Sequence, residues 1–250
     1  MCQEPYPEAP AAGDDGWMVT LPASPSAAEP PVAASVAAEG LPRDRHGHIL
    51  DLERARAELA PLDAESRLLW AWQTFGDGLV LTTSFGIQSA VLLHMVGRLG
   101  ESIPGAHVPV LWVDTGYLPA ETYHYVDQLL ERLPIDLRVV QAEISPARME
   151  ARHGRLWETG RVEDLQLYNR IRKVEPLDRA MAALGVRCWA SGVRGGQTDH
   201  RRGMLPLDAV RGLWSLRPLL AWTNRDIYYY MENNGLPQHP LFAQGYSTVG

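Results

Sequence analysis

Four places in the sequence carry residues that could do chemistry. Thr82-Thr83-Ser84-Phe85-Gly86-Ile87-Gln88-Ser89 follows a short apolar run and precedes a helical pattern. Such a junction can cradle an oxyanion, because the first turn of a helix presents unpaired N–H groups and the positive end of its dipole. Small hydroxyl residues and a glycine let an anion approach that backbone closely. Capping of the helix is the other use of such a loop. The segment has neither the Gly-x-Gly-x-x-Gly nor the Walker spacing, so neither signature applies. Asp114, with Thr115 and Gly116, ends a second apolar run, and reads either as a crevice carboxylate or as a cap on its own loop. Arg194, Gln197, Arg201 and Arg202 crowd a glycine-rich stretch. Guanidinium forks suit sulfate and phosphate oxygens, although a solvated basic loop has the same composition. Lys173 is the fourth place. It is the only lysine among 23 basic residues, and its ammonium is a compact point charge where arginine offers a planar fork.

Composition excludes several classes. Two cysteines in 250 residues rule out a disulfide scaffold and any all-cysteine zinc or iron–sulfur site. Cys188 lies in an apolar stretch, where burial should leave it inert. His46-Gly47-His48 reads as linker in preference to a metal site. No apolar run approaches the ~18 residues of a membrane span. Net charge is −7, but residues 1–40 hold six acids and no Lys or Arg, so the remainder is nearly neutral. With no basic stripe, nucleic acid is not an expected partner.

The elements that must position these residues follow from pattern. Residues 1–44, rich in Ala, Pro and acids, cannot bury enough surface to offset their ordering entropy and read as a disordered tail that carries Cys2. The tail lacks the features of a secretory or transit signal, so the expected location is the cytoplasm. Residues 45–250 then form one domain. Helices are expected at 51–60, after an Asp63 cap, at 89–99, at 119–133 and at 165–184 with an interruption near Pro176. Thr223 should cap a last helix running to about Asn233. Buried strands are expected at 79–82 and 108–113 and further strands at 135–141 and 187–191, with a hairpin at 208–216 turning at Arg211-Gly212. Strands alternating with helices predict an α/β fold, a Rossmann-like parallel sheet with helices on both faces. Trp222 and Tyr228 to Tyr230 read as a helix packing face.

Several of these motifs, taken in order, resemble one family. Ser84-Phe85-Gly86-Ile87-Gln88-Ser89 is similar to the modified PP-loop of assimilatory phosphoadenylyl-sulfate reductases, within the adenine nucleotide alpha-hydrolase-like superfamily. Trp112-Val113-Asp114-Thr115-Gly116-Tyr117-Leu118-Pro119, Lys173-Val174-Glu175-Pro176-Leu177, Gly192-Val193-Arg194 with Gln197 and Arg201, Trp222-Thr223-Asn224-Arg225-Asp226 and the segment from His239 to Gly250 continue the match. The resemblance implies a nucleotide-binding domain, usually homodimeric, that reduces 3′-phosphoadenylyl sulfate to sulfite and adenosine 3′,5′-bisphosphate. Reduced thioredoxin or glutaredoxin would be the electron donor. It implies a substrate site of Ser84, Phe85, Gly86, Gln88, Ser89, Asp114, Thr115, Gly116, Lys173, Arg194, Gln197 and Arg201, without a metal. Related ATP-using PP-loop enzymes carry Asp where this chain has Gln88, so an adenylyltransferase is the less favoured alternative. Cousins that reduce adenylyl sulfate hold an iron–sulfur cluster on cysteine pairs. Here Tyr168-Asn169 stands at one such pair, which implies no cluster.

The family's reaction requires a cysteine thiolate that becomes an S-sulfocysteine. In the relatives it sits in a Glu-Cys-Gly-Leu-His motif after the Gly-Tyr-x-x-Val-Gly segment, and this sequence stops at Gly250, within reach of that motif. The expectation is therefore a fragment without a catalytic residue of its own, inactive alone. A relative that binds nucleotide without turnover is the alternative.

Overall fold

The computed structural model describes residues 40–246, 248 and 249. The expected tail up to residue 39, with Cys2, lies outside them, as do Ser247 and Gly250. Residues 41–44 belong to the fold, earlier than composition indicates: Leu41 packs on the core and the Pro42 carbonyl accepts the indole N–H of Trp214 at 2.8 Å. A buried indole needs an acceptor, and this one comes from the entering chain.

Six strands form one sheet: β1 Leu79–Thr83, β2 Val110–Val113, β3 Leu137–Val140, β4 Cys188–Ser191, β5 Leu207–Val210 and β6 Leu213–Leu216. Their spatial order is β3-β2-β1-β4-β6-β5, parallel throughout except for the β5–β6 hairpin. Arg211 and Gly212 turn that hairpin with φ of 55° and 78°, the sign a tight two-residue turn demands.

Alternation along β1 explains the layers. Leu79 and Leu81 enter a large cluster with α1 (Leu52–Leu59), α2 (Ala64–Phe75), α3 (Ser89–Ser102), α4 (Ala120–Leu130) and α9 (Asn224–Asn233). Val80 faces the other way, with Leu111, against Met181 of α7 (Glu175–Ala183). Both faces are covered, which is why these strands read as continuous apolar runs. The Asp63 and Thr223 caps form as expected, each side chain accepting a backbone N–H of its helix. Of the aromatic face expected on α9, Trp222 and Tyr230 pack against the core while Tyr228 and Tyr229 are exposed. No helix among the described residues is long and apolar enough to cross a membrane.

The interruption expected near Pro176 takes another form. α6 (Val162–Asn169) runs into α7 through a π turn at Arg170–Val174, closed by the Glu175 N–H on the Arg170 carbonyl. Pro176 has no N–H for the Arg172 carbonyl and its ring crowds that group, so the helix widens one turn upstream instead of ending. α5 (Pro146–His153), capped by Ser145, and the short α8 (Asp199–Arg202) were not expected from pattern.

From β1 the chain builds β2 and β3 on one side, then returns to place β4 on the other side of β1. Between the carboxyl ends of β1 and β4 the connections diverge, and open parallel sheets bind ligands in such a crevice.

Candidate active site

The loop after β1 is shaped by an unusual residue. Phe85 has φ of 51°, a conformation rare for a side chain of its size. Its ring is fully buried, edge-on to Trp112 at 5.2 Å between centroids, and that burial holds the backbone there. The phenyl group is therefore core, and only the Phe85 main chain belongs to the loop. Its N–H donates to Thr83 Oγ1 at 3.1 Å, and the Ser89 N–H donates to the Gly86 carbonyl at 3.0 Å as α3 begins. A Cβ on Gly86 would stand 3.1 Å from the Val249 carbonyl oxygen, so Val249 lies directly against this loop. Gln88 precedes α3 without capping it.

The Gln88 side chain reaches instead across the crevice. Its Oε1 accepts from Nη2 of Arg194, which follows β4, and Arg194 Nη1 donates to Asn224 Oδ1 at 2.9 Å. The Arg194 backbone N–H donates to Gln197 Oε1 at 3.2 Å, and the same oxygen accepts from Arg201 Nη1. Arg194 is 6% exposed, and all its partners among the described residues are neutral. Burial, then the nearby charge of Arg201, pull its pKa down from the ordinary guanidinium value. A buried cation without a counter-ion is a standing attraction for an anion.

Asp114 caps its own loop. Its Oδ1 accepts from Tyr123 Oη at 2.7 Å and the Gly116 N–H at 2.8 Å, and its Oδ2 accepts from Gln141 Nε2 at 2.8 Å. Burial works to raise its pKa, but the bonds from Tyr123, Gly116 and Gln141, with the charge of Arg172, outweigh that and hold it below the usual carboxylate range. The Tyr123 phenol is pushed up to about 12, by burial and then by that same bond to Asp114.

Thr115 and Gly116 receive the π turn. Arg172 is almost fully buried. Its Nε donates to the Thr115 carbonyl at 2.8 Å, Nη2 to the same oxygen, and Nη1 to the Ile144 carbonyl at 2.6 Å. The guanidinium also lies over the Tyr117 ring at 5.6 Å, within a cluster of Tyr117, Trp157 and Tyr168. Arg172 thus pins the turn to the loops that follow β2 and β3, and Lys173 is the next residue of that turn. Lys173 is half-buried, makes no hydrogen bond or ion pair among the described residues, and burial lowers its pKa. Arg172, Asn224, Tyr123 and Gln141 were not among the expected site residues. Nothing in the sequence separates Arg172 from the other arginines except its place beside Lys173.

Residues 78–250 match the family model described as phosphoadenosine phosphosulfate reductase domain. The chain belongs to that family. Among its relatives, the phosphoadenosine 5′-phosphosulfate reductase of Synechococcus sp. is 51% identical over 199 residues, 80% of this chain and 84% of the relative. That of Synechocystis sp. is 47% identical over 201 residues, 80% and 79% of the two chains. The crystal structure of the phosphoadenylyl-sulfate reductase of Candida auris, a phosphate complex, superposes with a TM-score of 0.68 at 26% identity. It covers 80% of this chain and 93% of its own. The Candida glabrata FMN adenylyltransferase in complex with ATP shares the α/β PP-loop fold at a TM-score of 0.54 and 12% identity, over 80% of this chain and 62% of that one.

Within this reductase-family fold Cys188 is fully enclosed in β4, and burial pushes its thiol pKa well up. A thiol so enclosed has the setting of a structural cysteine, not of a reactive one. Among the described residues no group of three or more His, Cys, Asp or Glu could hold a metal ion.

Gly116 is required by its surroundings. With φ of 75°, a Cβ would lie 2.6 Å from Pro146 Cγ and 3.2 Å from Arg172 Nη2. Gly116→Ala is expected to cost about 3 kcal/mol from the left-handed backbone and the clash together. Urea denaturation checks this: an unchanged midpoint would mean that α5 yields freely.

Proposed function

We propose that this chain binds 3′-phosphoadenylyl sulfate across the β1/β4 crevice and serves its thiol-dependent reduction to sulfite and adenosine 3′,5′-bisphosphate. The observation that carries the reading is buried Arg194 after β4, held by Gln88 at the start of α3 and by Asn224 with no carboxylate partner among the described residues. Half-buried Lys173, equally without one, stands on the π turn that Arg172 ties to the loops after β2 and β3. Their charge suits a ligand with several anionic groups. Ser84 and Gly86 offer backbone N–H groups and the Ser84 hydroxyl to a phosphate, with Ser89 opening the helix behind them; Arg201, tied to Arg194 through Gln197, adds a second guanidinium. Gln88 in place of a carboxylate removes both a magnesium ligand and a repulsive charge, which suits binding without metal. Asp114, Thr115 and Gly116 shape the site through the capped loop.

In the proposed reaction a cysteine thiolate attacks the sulfate sulfur. The sulfur–oxygen bond to the nucleotide breaks and adenosine 3′,5′-bisphosphate leaves with that electron pair. The enzyme is left as an S-sulfocysteine. A thioredoxin thiolate then attacks the cysteine sulfur, sulfite leaves with the sulfur–sulfur electron pair, and the second thioredoxin thiol closes a disulfide that frees the enzyme. Thioredoxin or glutaredoxin supplies the two electrons. The role of this chain's residues is to hold the nucleotide and neutralise charge that builds on the leaving bisphosphate. The attacking thiolate comes from outside the fold described here, since Cys188 is enclosed. Tyr168-Asn169 supplies no thiolate, so the reading includes no iron–sulfur cluster. A homodimer in the cytoplasm completes it.

Calorimetric titration with adenosine 3′,5′-bisphosphate in the absence of metal is expected to show binding in the micromolar range. Preference for ATP with magnesium would reverse the reading towards an adenylyltransferase. With reduced thioredoxin, the purified 250-residue chain is expected to release no sulfite.

A further inference from the structure

Asn224 opens α9, one residue after a cap that is complete without it. Thr223 Oγ1 accepts the Asp226 N–H at 3.2 Å, and Asp226 Oδ2 accepts the Thr223 N–H at 2.8 Å. The Asn224 carboxamide is free to leave the helix, and it does. Its Oδ1 accepts from Arg194 Nη1 at 2.9 Å and from Gln88 Nε2 at 3.4 Å, while Gln88 Oε1 takes Arg194 Nη2. Three separate elements thus meet on one guanidinium: the loop after β1, the loop after β4 and the start of α9. Every acceptor in that junction is an amide oxygen. Aspartate at 224 would present an oxygen in the same place, would pair with the buried cation, and would favour the helix dipole as an acid in the first turn. The chain has the uncharged isostere.

We propose that Asn224 is a positioning residue that holds Arg194 between the two crevice loops while leaving its charge uncompensated, which makes the site selective for nucleotides with more than one anionic group. This inference rests on the nucleotide reading above and adds to it the basis of charge selectivity. A carboxylate at 224 would neutralise Arg194 before any ligand arrives, and its repulsion of a bound ligand would grow with each ligand charge. Loss of the side chain alone would loosen Arg194 without that dependence.

The test titrates the full chain, Asn224→Asp and Asn224→Ala with adenosine 5′-monophosphate and adenosine 3′,5′-bisphosphate, alongside melting temperatures. Asn224→Asp is expected to melt no lower than the parent, because an acid suits the first helical turn. It should weaken the bisphosphate by about tenfold or more and the monophosphate by less. Asn224→Ala should weaken the bisphosphate less than Asn224→Asp does, and by a similar factor for both nucleotides. Gln88→Glu brings a carboxylate to the same guanidinium from the opposite loop and should repeat the Asn224→Asp pattern, which keeps the test decisive if one variant folds poorly. Equal losses in Asn224→Asp and Asn224→Ala, or a penalty that does not grow with ligand charge, would overturn the inference while the nucleotide reading stood. A parent chain that binds neither nucleotide would overturn both.

Discussion

Lys173→Ala should weaken binding of adenosine 3′,5′-bisphosphate by about a hundredfold and leave the protein at least as stable. The first half follows from removing a point charge that faces an anion in a partly desolvated setting, where such a loss costs about 2–5 kcal/mol. The second follows from the bonding: Lys173 makes no hydrogen bond or ion pair among the described residues, so its removal leaves no group unsatisfied, and a half-buried unpaired ammonium is itself a cost to the fold. The pH dependence has two opposite signs. Burial places the folded-state pKa below the ordinary lysine value of 10.5. Between that lowered pKa and 10.5 the unfolded chain binds more protons, so the empty protein gains stability as pH rises through this window. Nucleotide affinity falls over the same rise, as the ammonium discharges. Calorimetry across alkaline pH on parent and Lys173→Ala separates the two, since the variant should lose the Lys173 part of the affinity change. Undiminished affinity in the variant would move the anion site away from the π turn.

Arg172→Ala, one residue earlier, is expected to do the reverse and damage the fold first. The guanidinium is 2% exposed and satisfies the Thr115 and Ile144 carbonyls. Truncation strips those carbonyls of a charged donor and empties the space over Tyr117. The expected loss is about 3–5 kcal/mol, or roughly 10 °C in melting temperature for a domain of this size. Arg172→Lys should recover little, because one ammonium cannot bridge two loops as a fork does. The turn that carries Lys173 is anchored by these bonds, so nucleotide affinity should fall as well, even at temperatures where the variant is folded. Melting with the parent would show that solvent takes over the guanidinium's bonds without loss. The two neighbours thus separate by assay: one moves binding alone, the other moves stability and then binding.

Much of the scaffold was legible from local pattern. Leu79-Val80-Leu81 announces a doubly covered strand, Asp63 and Thr223 announce helix starts, and Arg211-Gly212 announces the hairpin, because each depends on residues a few positions apart. The π turn was legible only as a disturbance near Pro176, since sequence shows that a hydrogen bond is missing but not whether the helix stops or widens around the loss. α5 escaped notice: it is short and mostly polar, with Met149 its one buried residue, and the Ser145-Pro146 cap was the available signal.

The candidate site divides along the same line. Sequence by itself determined the chemical inventory: a small-residue loop between strand and helix, one lysine among arginines, an arginine–glutamine loop, and a cysteine in an apolar strand. These are matters of residue type and short spacing. Only the tertiary structure decided how each is used. It turned Phe85 into core with a main-chain role, Asp114 into the cap of its own loop, and Arg172 into the anchor of the turn bearing Lys173. It also joined Gln88, Arg194 and Asn224, residues separated by 106 and 30 positions, into one uncompensated junction. The physical reason is that hydrogen bonding and charge compensation depend on which groups the fold brings within about 3 Å, and partners so far apart in the chain leave no periodic trace.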